Sequence, residues 1–270
     1  MSSLIKHALI KVSGNYLMQK ILTYNVRMSQ YFMGIGSGGE VEDSGEIAMF
    51  KELQHLAQTE YCIFDVGANK GQFATLLLNH LDGYNLSVHS FEPATHTFQM
   101  LQQNLKDHKQ IRLNNIGLGE KPGKFTLYYN DIGSGWASLT KRKLAHFGIE
   151  FDLSEIVTID TVDNYCLKND IHNIDLLKLD VEGHELDVLR GAENMFQSHS
   201  IKMVSFEFGG CNIDTKTFFQ DFYYFFKERN MAIYRITPSG YLYPIPFYNE
   251  SYEQFRTTNF LALNSTILNP

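Results

Sequence analysis

Two short stretches of this chain concentrate residues able to do chemistry: Asp65-Val66-Gly67-Ala68-Asn69-Lys70-Gly71 and Asp180-Val181-Glu182-Gly183-His184-Glu185. The first follows the apolar run Cys62 to Val66 and precedes the helical pattern Phe73 to Leu81, which gives the order strand, tight turn, helix. Gly67 and Gly71 let backbone approach a ligand, and Asn69 tolerates a left-handed conformation. The turn lacks both the Gly-Lys-Ser/Thr of a phosphate-binding loop and the central glycine of a dinucleotide fingerprint. Glu92 follows the next apolar run and precedes Pro93, where its carboxylate can accept both ribose hydroxyl hydrogens. Nicotinamide sites use an acid at the same place, so the choice of ligand falls to Asp65. An anion one residue ahead of Val66 and the first glycine suits a cationic amino group and is a poor neighbour for pyrophosphate. S-adenosylmethionine carries that ammonium and no phosphate, and it is the cofactor these residues favour. A structural Asp-Gly turn and a dinucleotide site are the alternatives. Asn115, beyond the third apolar run, is placed either to meet the adenine edge or to cap its own strand.

In the second stretch Asp180 ends a fourth apolar run, beside the crevice where open parallel sheets bind ligands. Glu182 and Glu185 open the helix that follows, where acids also meet the positive end of its dipole. A hydroxyl acceptor gives up a proton as it is methylated, and the candidate bases are His184, Asp180, Glu182 and Glu207, the last within Ser205-Phe206-Glu207-Phe208. A solvent-facing position on the helix is the competing reading of His184. Asp180, Glu182 and Glu207 could instead share a magnesium ion through hard oxygen ligands.

The elements that must hold these residues alternate. Tyr61 to Val66, Leu86 to Phe91, Ile111 to Ile116, Ile174 to Leu179 and Lys202 to Phe208 read as short buried strands separated largely by helical patterns, so parallel strands covered on both faces are expected. Residues 124–161 interrupt the alternation with strands near Phe125 to Tyr129 and Ile156 to Ile159 and a Gly/Ser-rich loop at Gly133 to Ser138, an insertion placed to form a substrate lid. Phe218, Phe219, Phe222, Tyr223 and Phe226 are expected on one packed helical face. Ala232 to Ile236, a turn at Pro238 to Gly240 and Asn259 to Leu263 predict a hairpin finish with an antiparallel edge.

These motifs together resemble the FkbM-type methyltransferase family over roughly Tyr61 to Phe208. The likeness rests on Asp65 to Gly71, on Phe91-Glu92-Pro93 with Phe98 and Leu101 behind it, on the Ser138-Leu139 pair and on Lys178 to Glu185. It implies a class I methyltransferase, Rossmann-like α/β fold: a mostly parallel seven-stranded sheet with an antiparallel edge strand, helices on both faces and an N-terminal helical extension. Asp65, Gly67, Asn69, Gly71 and Glu92 match the family's cofactor positions, and Ala68, Phe73, Pro93, Asn115 and Asp180 complete the expected set. The family's activity implies O-methylation of a hydroxyl on a sugar, glycolipid, polysaccharide precursor or similar polyhydroxylated molecule. A non-catalytic S-adenosylmethionine-binding protein and an NAD-dependent oxidoreductase are the rival classes.

Composition bounds the rest. At 270 residues the chain suits one large domain with an appendage, and no apolar run is long enough to cross a bilayer. No secretory leader is evident, so a cytoplasmic protein is expected, and the three widely spaced cysteines, Cys62, Cys166 and Cys211, read as reduced packing residues. Its net charge of -7 argues against a nucleic-acid partner. All 30 acidic residues lie at or beyond Glu40, whereas Lys6, Lys11, Lys20 and Arg27 precede it. Ile5, Leu9, Val12, Tyr16 and Leu17 recur there at helical spacing. Residues 1–39 are therefore expected to form a basic amphipathic helix and a Gly34 to Gly39 linker ahead of a 40–270 body. That helix is expected to pack on the body or on a dimer mate, with contact with an anionic membrane surface or disorder as the alternatives.

Overall fold

The structure, a computed structural model, describes residues 3–39 and 44–265. The expected boundary at residue 40 and the side chains of Ile5 and Leu9 lie outside what it describes. The chain starts with helices α1 (Ser3–Ser13) and α2 (Tyr16–Phe32) in place of the single expected helix. Gly14 and Asn15 break it: Asn15 is extended and its side chain accepts the Met18 N–H at 3.0 Å, capping a new helix. Helix α3 (Ile47–His55) buries Ala48, Met49, Phe50 and Leu53 against the body.

Strands and helices then alternate as β1 (Glu60–Val66), α4 (Gln72–His80), β2 (Asn85–Phe91), α5 (Thr95–Leu105) and β3 (Ile111–Asn114). The insertion contributes β4 (Gly117–Leu118), β5 (Gly123–Tyr129) and β6 (Leu153–Asp160), which form a separate three-stranded sheet in the order β4-β6-β5. The run expected as one strand from Ile111 to Ile116 therefore stops at Asn114, and the chain crosses to the small sheet at Gly117. After α6 (Val162–Asn169) come β7 (Ile174–Leu179), α7 (Glu185–Arg190), α8 (Glu193–Gln197), β8 (Ile201–Phe208), α9 (Cys211–Thr215) and α10 (Phe219–Glu228). The chain closes with β9 (Met231–Ile236), β10 (Leu242–Pro244) and β11 (Thr258–Asn264).

The main sheet has eight strands in the order β10-β9-β11-β8-β7-β1-β2-β3. Strands β3, β2, β1, β7 and β8 are mutually parallel, β11 runs against β8 and β9, and β10 forms the antiparallel edge. This is the class I methyltransferase arrangement, with β10 as an eighth strand that its Leu-Tyr-Pro sequence hardly signals. Alternation along the strands sends Tyr61 and Ile63 to a core shared with α3, α4 and α5, and Phe64 and Val66 to one shared with α6, α7, α8 and α10. In the second core Phe206 stacks on Phe222 with centroids 4.9 Å apart. Phe219, Phe222, Tyr223, Phe225 and Phe226 are buried on α10 as the pattern requires, whereas Phe218 precedes the helix and is exposed. All three cysteines are free thiols, and burial pushes those of Cys62 and Cys166 up to about 12.

Candidate active site

The parallel strands end at one edge of the sheet, and the chemistry-bearing residues gather there. Beyond β1 the turn has left-handed backbone at Gly67 (φ 84°), Asn69 (φ 47°) and Gly71 (φ 91°). Gly67 has a second reason to be glycine: a Cβ there would stand 1.8 Å from the Asp180 carbonyl oxygen of the neighbouring turn. The Gly67 and Ala68 N–H groups donate to the Phe91 carbonyl, fastening the turn to the end of β2. Glu92 sits against it, its carboxylate accepting the Asn69 N–H at 3.0 Å and the Ala94 N–H at 2.9 Å. Each oxygen keeps a further lone pair on a side chain that lines the cavity. Burial pushes the Glu92 carboxyl up to about 7 despite these two bonds.

That cavity runs from Gly67, Asn69, Glu92 and Pro93 to Asp180, Glu182 and His184. Its middle is walled by Leu118, Leu127 and Ile159 and by the insertion loop at Ser134, Gly135, Ala137, Ser138 and Leu139. The loop thus forms a wall of the cavity. Ser138 is buried and its hydroxyl donates to the Glu182 carbonyl at 2.9 Å, tying the insertion to the turn beyond β7.

Asp65 is fully buried and stands off the cavity wall. Both its carboxylate oxygens lack hydrogen-bond partners, and its nearest cation is Lys178 Nζ at 3.7 Å. Burial raises its pKa to about 6 against the pull of Lys178. Lys178 is itself buried and donates to Asp180 Oδ2 at 3.2 Å. Burial works against its ammonium, but Asp180, Asp65, Glu46 and Glu207 outweigh it and hold its pKa above the usual lysine range. Glu46, at the start of α3, is raised by burial and feels Lys178, Asp180 and Asp65. The turn from Asp65 to Gly71 therefore folds over a buried lysine ringed by acids.

The second turn is left-handed at Glu182 (φ 51°) and Gly183 (φ 99°). Glu182 pairs with Arg142 Nη1, whose Nε lies 3.5 Å from Asp214 Oδ2. Burial first and Asp180 second push Glu182 up to about 8, against the lowering pull of Arg142. Glu185 opens α7 and accepts the Val181 and Gly183 N–H groups of the preceding turn, whereas Glu182, expected to open the same helix, lies in that turn. His184 is largely buried, not solvent-facing: its Nδ1 lies 2.7 Å from Asp187 Oδ2 and its Nε2 3.0 Å from Thr140 Oγ1. A carboxylate on Nδ1 selects the tautomer with hydrogen there, leaving Nε2 as the acceptor of the Thr140 hydroxyl.

Besides Asp65, Ala68 and Gly71, three expected residues stand off the cavity wall. Phe73 is buried in α4 beneath the Lys178 ammonium, 5.2 Å from its ring centroid, and off the cavity wall. Asn115 is exposed and its amide donates to the Glu92 and Pro93 carbonyls, so it props the loop beyond β2 without lining the cavity. Glu207, near the end of β8, also stands outside the cavity lining, raised well above its usual range by burial, Asp180 and Glu182. Ala68 and Gly71 shape the turn from behind, Gly71 packing toward Leu101 and Leu105. Among the described residues no three His, Cys, Asp or Glu are grouped to hold a metal ion. Sequence reasoning missed Arg142, Thr140, Asp187, Lys178 and Glu46, which reach the site from the insertion, α7, β7 and the residues before α3. Only Lys178, a charge inside an apolar run, carried a local signal.

The class I sheet and this cavity agree with what the chain matches. A model of the methyltransferase FkbM domain fits residues 65–232, and the chain belongs to that family. It is 30% identical over 156 residues to the 31-O-demethyl-FK506 methyltransferase FkbM of Streptomyces tacrolimicus, covering 49% of this chain and 59% of that one. It is 28% identical over 168 residues to the hexuronic acid methyltransferase AglP of Haloferax volcanii, covering 61% and 64% respectively. The 2-O-methyltransferase NoeI of Sinorhizobium fredii is 23% identical over 191 residues, covering 67% and 76%. The matches span about three fifths of the length of the first of these curated relatives. Among solved structures, the methyltransferase FkbM of Methylobacillus flagellatus superposes over 75% of this chain and 44% of its own, at 17% identity and a TM-score of 0.45.

Proposed function

We propose that this chain is an S-adenosylmethionine-dependent O-methyltransferase whose acceptor is a hydroxyl of a sugar, glycolipid, polysaccharide precursor or similar polyhydroxylated molecule. One observation carries the reading: a single cavity joins the glycine turn and Glu92 to an apolar slot and then to Asp180, Glu182 and His184. Glu92 keeps lone pairs for two ribose hydroxyls, and Leu118, Leu127 and Ile159 offer an apolar slot for a purine. At the other end Asp180 lines the wall, and behind it Asp65 adds a buried charge with no hydrogen bond of its own, which suits a cationic amino acid group and disfavours pyrophosphate. S-adenosylmethionine, once bound, supplies a methyl group activated by a sulfonium.

The protein's part is to align an acceptor oxygen and take its proton. His184 Nε2 is the base this geometry supports, because Asp187 fixes the ring and stabilises the imidazolium as proton transfer proceeds. Asp180 and Glu182 border the same space and can orient neighbouring hydroxyls of a polyol. A magnesium ion shared by Asp180, Glu182 and Glu207 has no grouping of donors behind it among the described residues. Calorimetric titration with S-adenosylmethionine and with NAD tests the cofactor, and transfer of labelled methyl to a panel of sugars, uronic acids and glycolipids tests the acceptor. Binding of NAD alone would overturn the reading in favour of an oxidoreductase. S-adenosylmethionine binding without transfer to any acceptor would favour a non-catalytic binding protein.

A further inference from the structure

The N-terminal arm did not find the body that its amphipathic pattern was expected to cover. No residue of α2 is buried. Leu17, Ile21, Tyr24, Met28 and Phe32 recur at helical spacing as one stripe and are 38 to 68% exposed. The opposite side of the helix is the one that meets the body: Arg256 Nη1 donates to Gln30 Oε1 at 2.6 Å, and the Gln30 amide donates to Gln254. Lys20 and Arg27 flank the stripe, and the Lys20 ammonium lies 4.8 Å from the centroid of Tyr16.

The root of the arm is firmly held. Ile35 is buried, and the Gly36 and Gly38 N–H groups donate to the Thr257 carbonyl at 3.0 and 3.2 Å. Gly34 approaches β9 so closely that a Cβ would lie 2.2 Å from the Ile236 carbonyl oxygen. The glycine run is therefore a docked joint, not a free spacer. Thr258, the next residue, pairs with Phe208, the last residue of β8. Because β11 runs against the parallel strands, the arm is rooted at the edge of the sheet that carries Asp65, Asp180 and Glu207.

We propose that α1 and α2 form an interfacial arm that docks this protein on an anionic phospholipid bilayer and holds the active-site edge of the sheet next to the lipid surface. An apolar stripe with aromatic rings and flanking cations is what such a surface accepts, with the cations reaching the headgroups. No described helix is long and apolar enough to cross a membrane, so the arm lies on the surface. Charge separates this occupant from a second copy of the arm. Two such stripes packed together would bring Lys20 and Arg27 of each copy near those of the other, with no acidic residue in the first 39 positions to neutralise them. The docking stands apart from the methyl-transfer reading and survives its failure.

Co-sedimentation of the full chain with phosphatidylcholine vesicles, with and without phosphatidylglycerol, tests the proposal. The protein is expected to sediment with the anionic vesicles, and high salt should release most of it. Leu17→Ser, Ile21→Ser, Tyr24→Ser and Phe32→Ser combined should abolish sedimentation and leave the circular dichroism of the body unchanged, since every replaced side chain is exposed. Lys20→Gln with Arg27→Gln should keep the fold and weaken anionic binding several-fold. No binding to anionic vesicles would overturn the proposal. So would equal binding by the four-serine variant, or a wild-type dimer in sedimentation velocity that the four-serine variant converts to monomer.

Discussion

The turns beyond β1 and β7 lie on adjacent strands at one edge of the sheet, both bend through left-handed residues and both follow an acid, yet they are finished differently. In the first, the buried carboxylate of Asp65 has no hydrogen bond, and Glu92 is held only by backbone N–H groups. In the second, Glu182 is paired with Arg142, His184 is held by Asp187 and Thr140, and Ser138 fastens the backbone. On the cavity side Glu92 keeps lone pairs that the protein does not use, which is what a site completed by a ligand requires. The second turn is already wired by side chains, which is how groups that orient a substrate or move a proton are preorganised.

The largest break in this comparison is Gly67→Ala. The new Cβ would stand 1.8 Å from the Asp180 carbonyl oxygen on a backbone with φ 84°, so the two turns must separate. A destabilisation of roughly 3 kcal/mol or more is expected, read as a lowered thermal midpoint together with lost cofactor binding. Ala68→Gly, one residue along and free of this clash, should leave binding largely intact.

Next come the unfilled acids. Asp65→Asn and Glu92→Gln preserve shape and remove charge, and each should weaken S-adenosylmethionine binding tenfold or more, a loss of about 1.5 to 3 kcal/mol for a charge-assisted hydrogen bond or its equivalent. Calorimetry that finds both affinities unchanged would remove the cofactor assignment. The same charges set a pH dependence. Asp65 titrates at about 6 and Glu92 at about 7, both raised chiefly by burial, so cofactor affinity should climb as pH rises from 5 to 8 and the carboxylates form. Folding stability without ligand should move the other way. An acid whose folded pKa is raised contributes stability that is full below its unfolded pKa and is lost as pH rises through the folded one. Thermal melts from pH 4.5 to 8 without ligand should therefore decline while affinity improves, and Glu182, at about 8, adds to the decline.

The first turn was legible in the sequence and most of the second was not. Gly67, Asn69 and Gly71 are residue types selected by left-handed backbone, a local constraint that survives in one sequence. Glu92 and Asp180 follow apolar runs, so alternation alone placed them at strand ends. Arg142 and Thr140 lie 40 and 44 residues from their partners, in an insertion with no periodicity that would aim them at a strand end. Phe73 and Asn115 were placed by sequence position alone, and neither reaches the cavity because one packs inward and the other spends its amide on backbone carbonyls. The single amphipathic helix expected at the N-terminus is broken at Gly14 and Asn15, and periodicity reports that a face is apolar without reporting what covers it.

Within the wired turn, Arg142→Gln should cost about 1 to 3 kcal/mol of stability, because it leaves Glu182 and Asp214 without their shared cation. Chemical denaturation measures this, and the loss should shrink as pH falls below about 8, where Glu182 takes up its proton and no longer needs the guanidinium.

The smallest effect is the most informative about the base. Thr140→Val removes the hydroxyl that donates to His184 Nε2 and changes little else, since valine matches threonine in shape. If Nε2 receives the acceptor's proton, Thr140 competes with the acceptor for that lone pair in the free enzyme. Removing a neutral hydrogen bond worth about 1 kcal/mol should then lower KM for the acceptor by up to about fivefold, with kcat nearly constant. If Thr140 instead holds the acceptor, KM rises by a similar factor. His184→Gln separates the two further, because the glutamine can bond Thr140 but cannot take a proton at neutral pH: kcat should fall by about a hundredfold or more while S-adenosylmethionine affinity stays unchanged. A fall in that affinity equal to the fall in kcat would move His184 from base to structural support and leave Asp180 as the acid nearest the reacting groups.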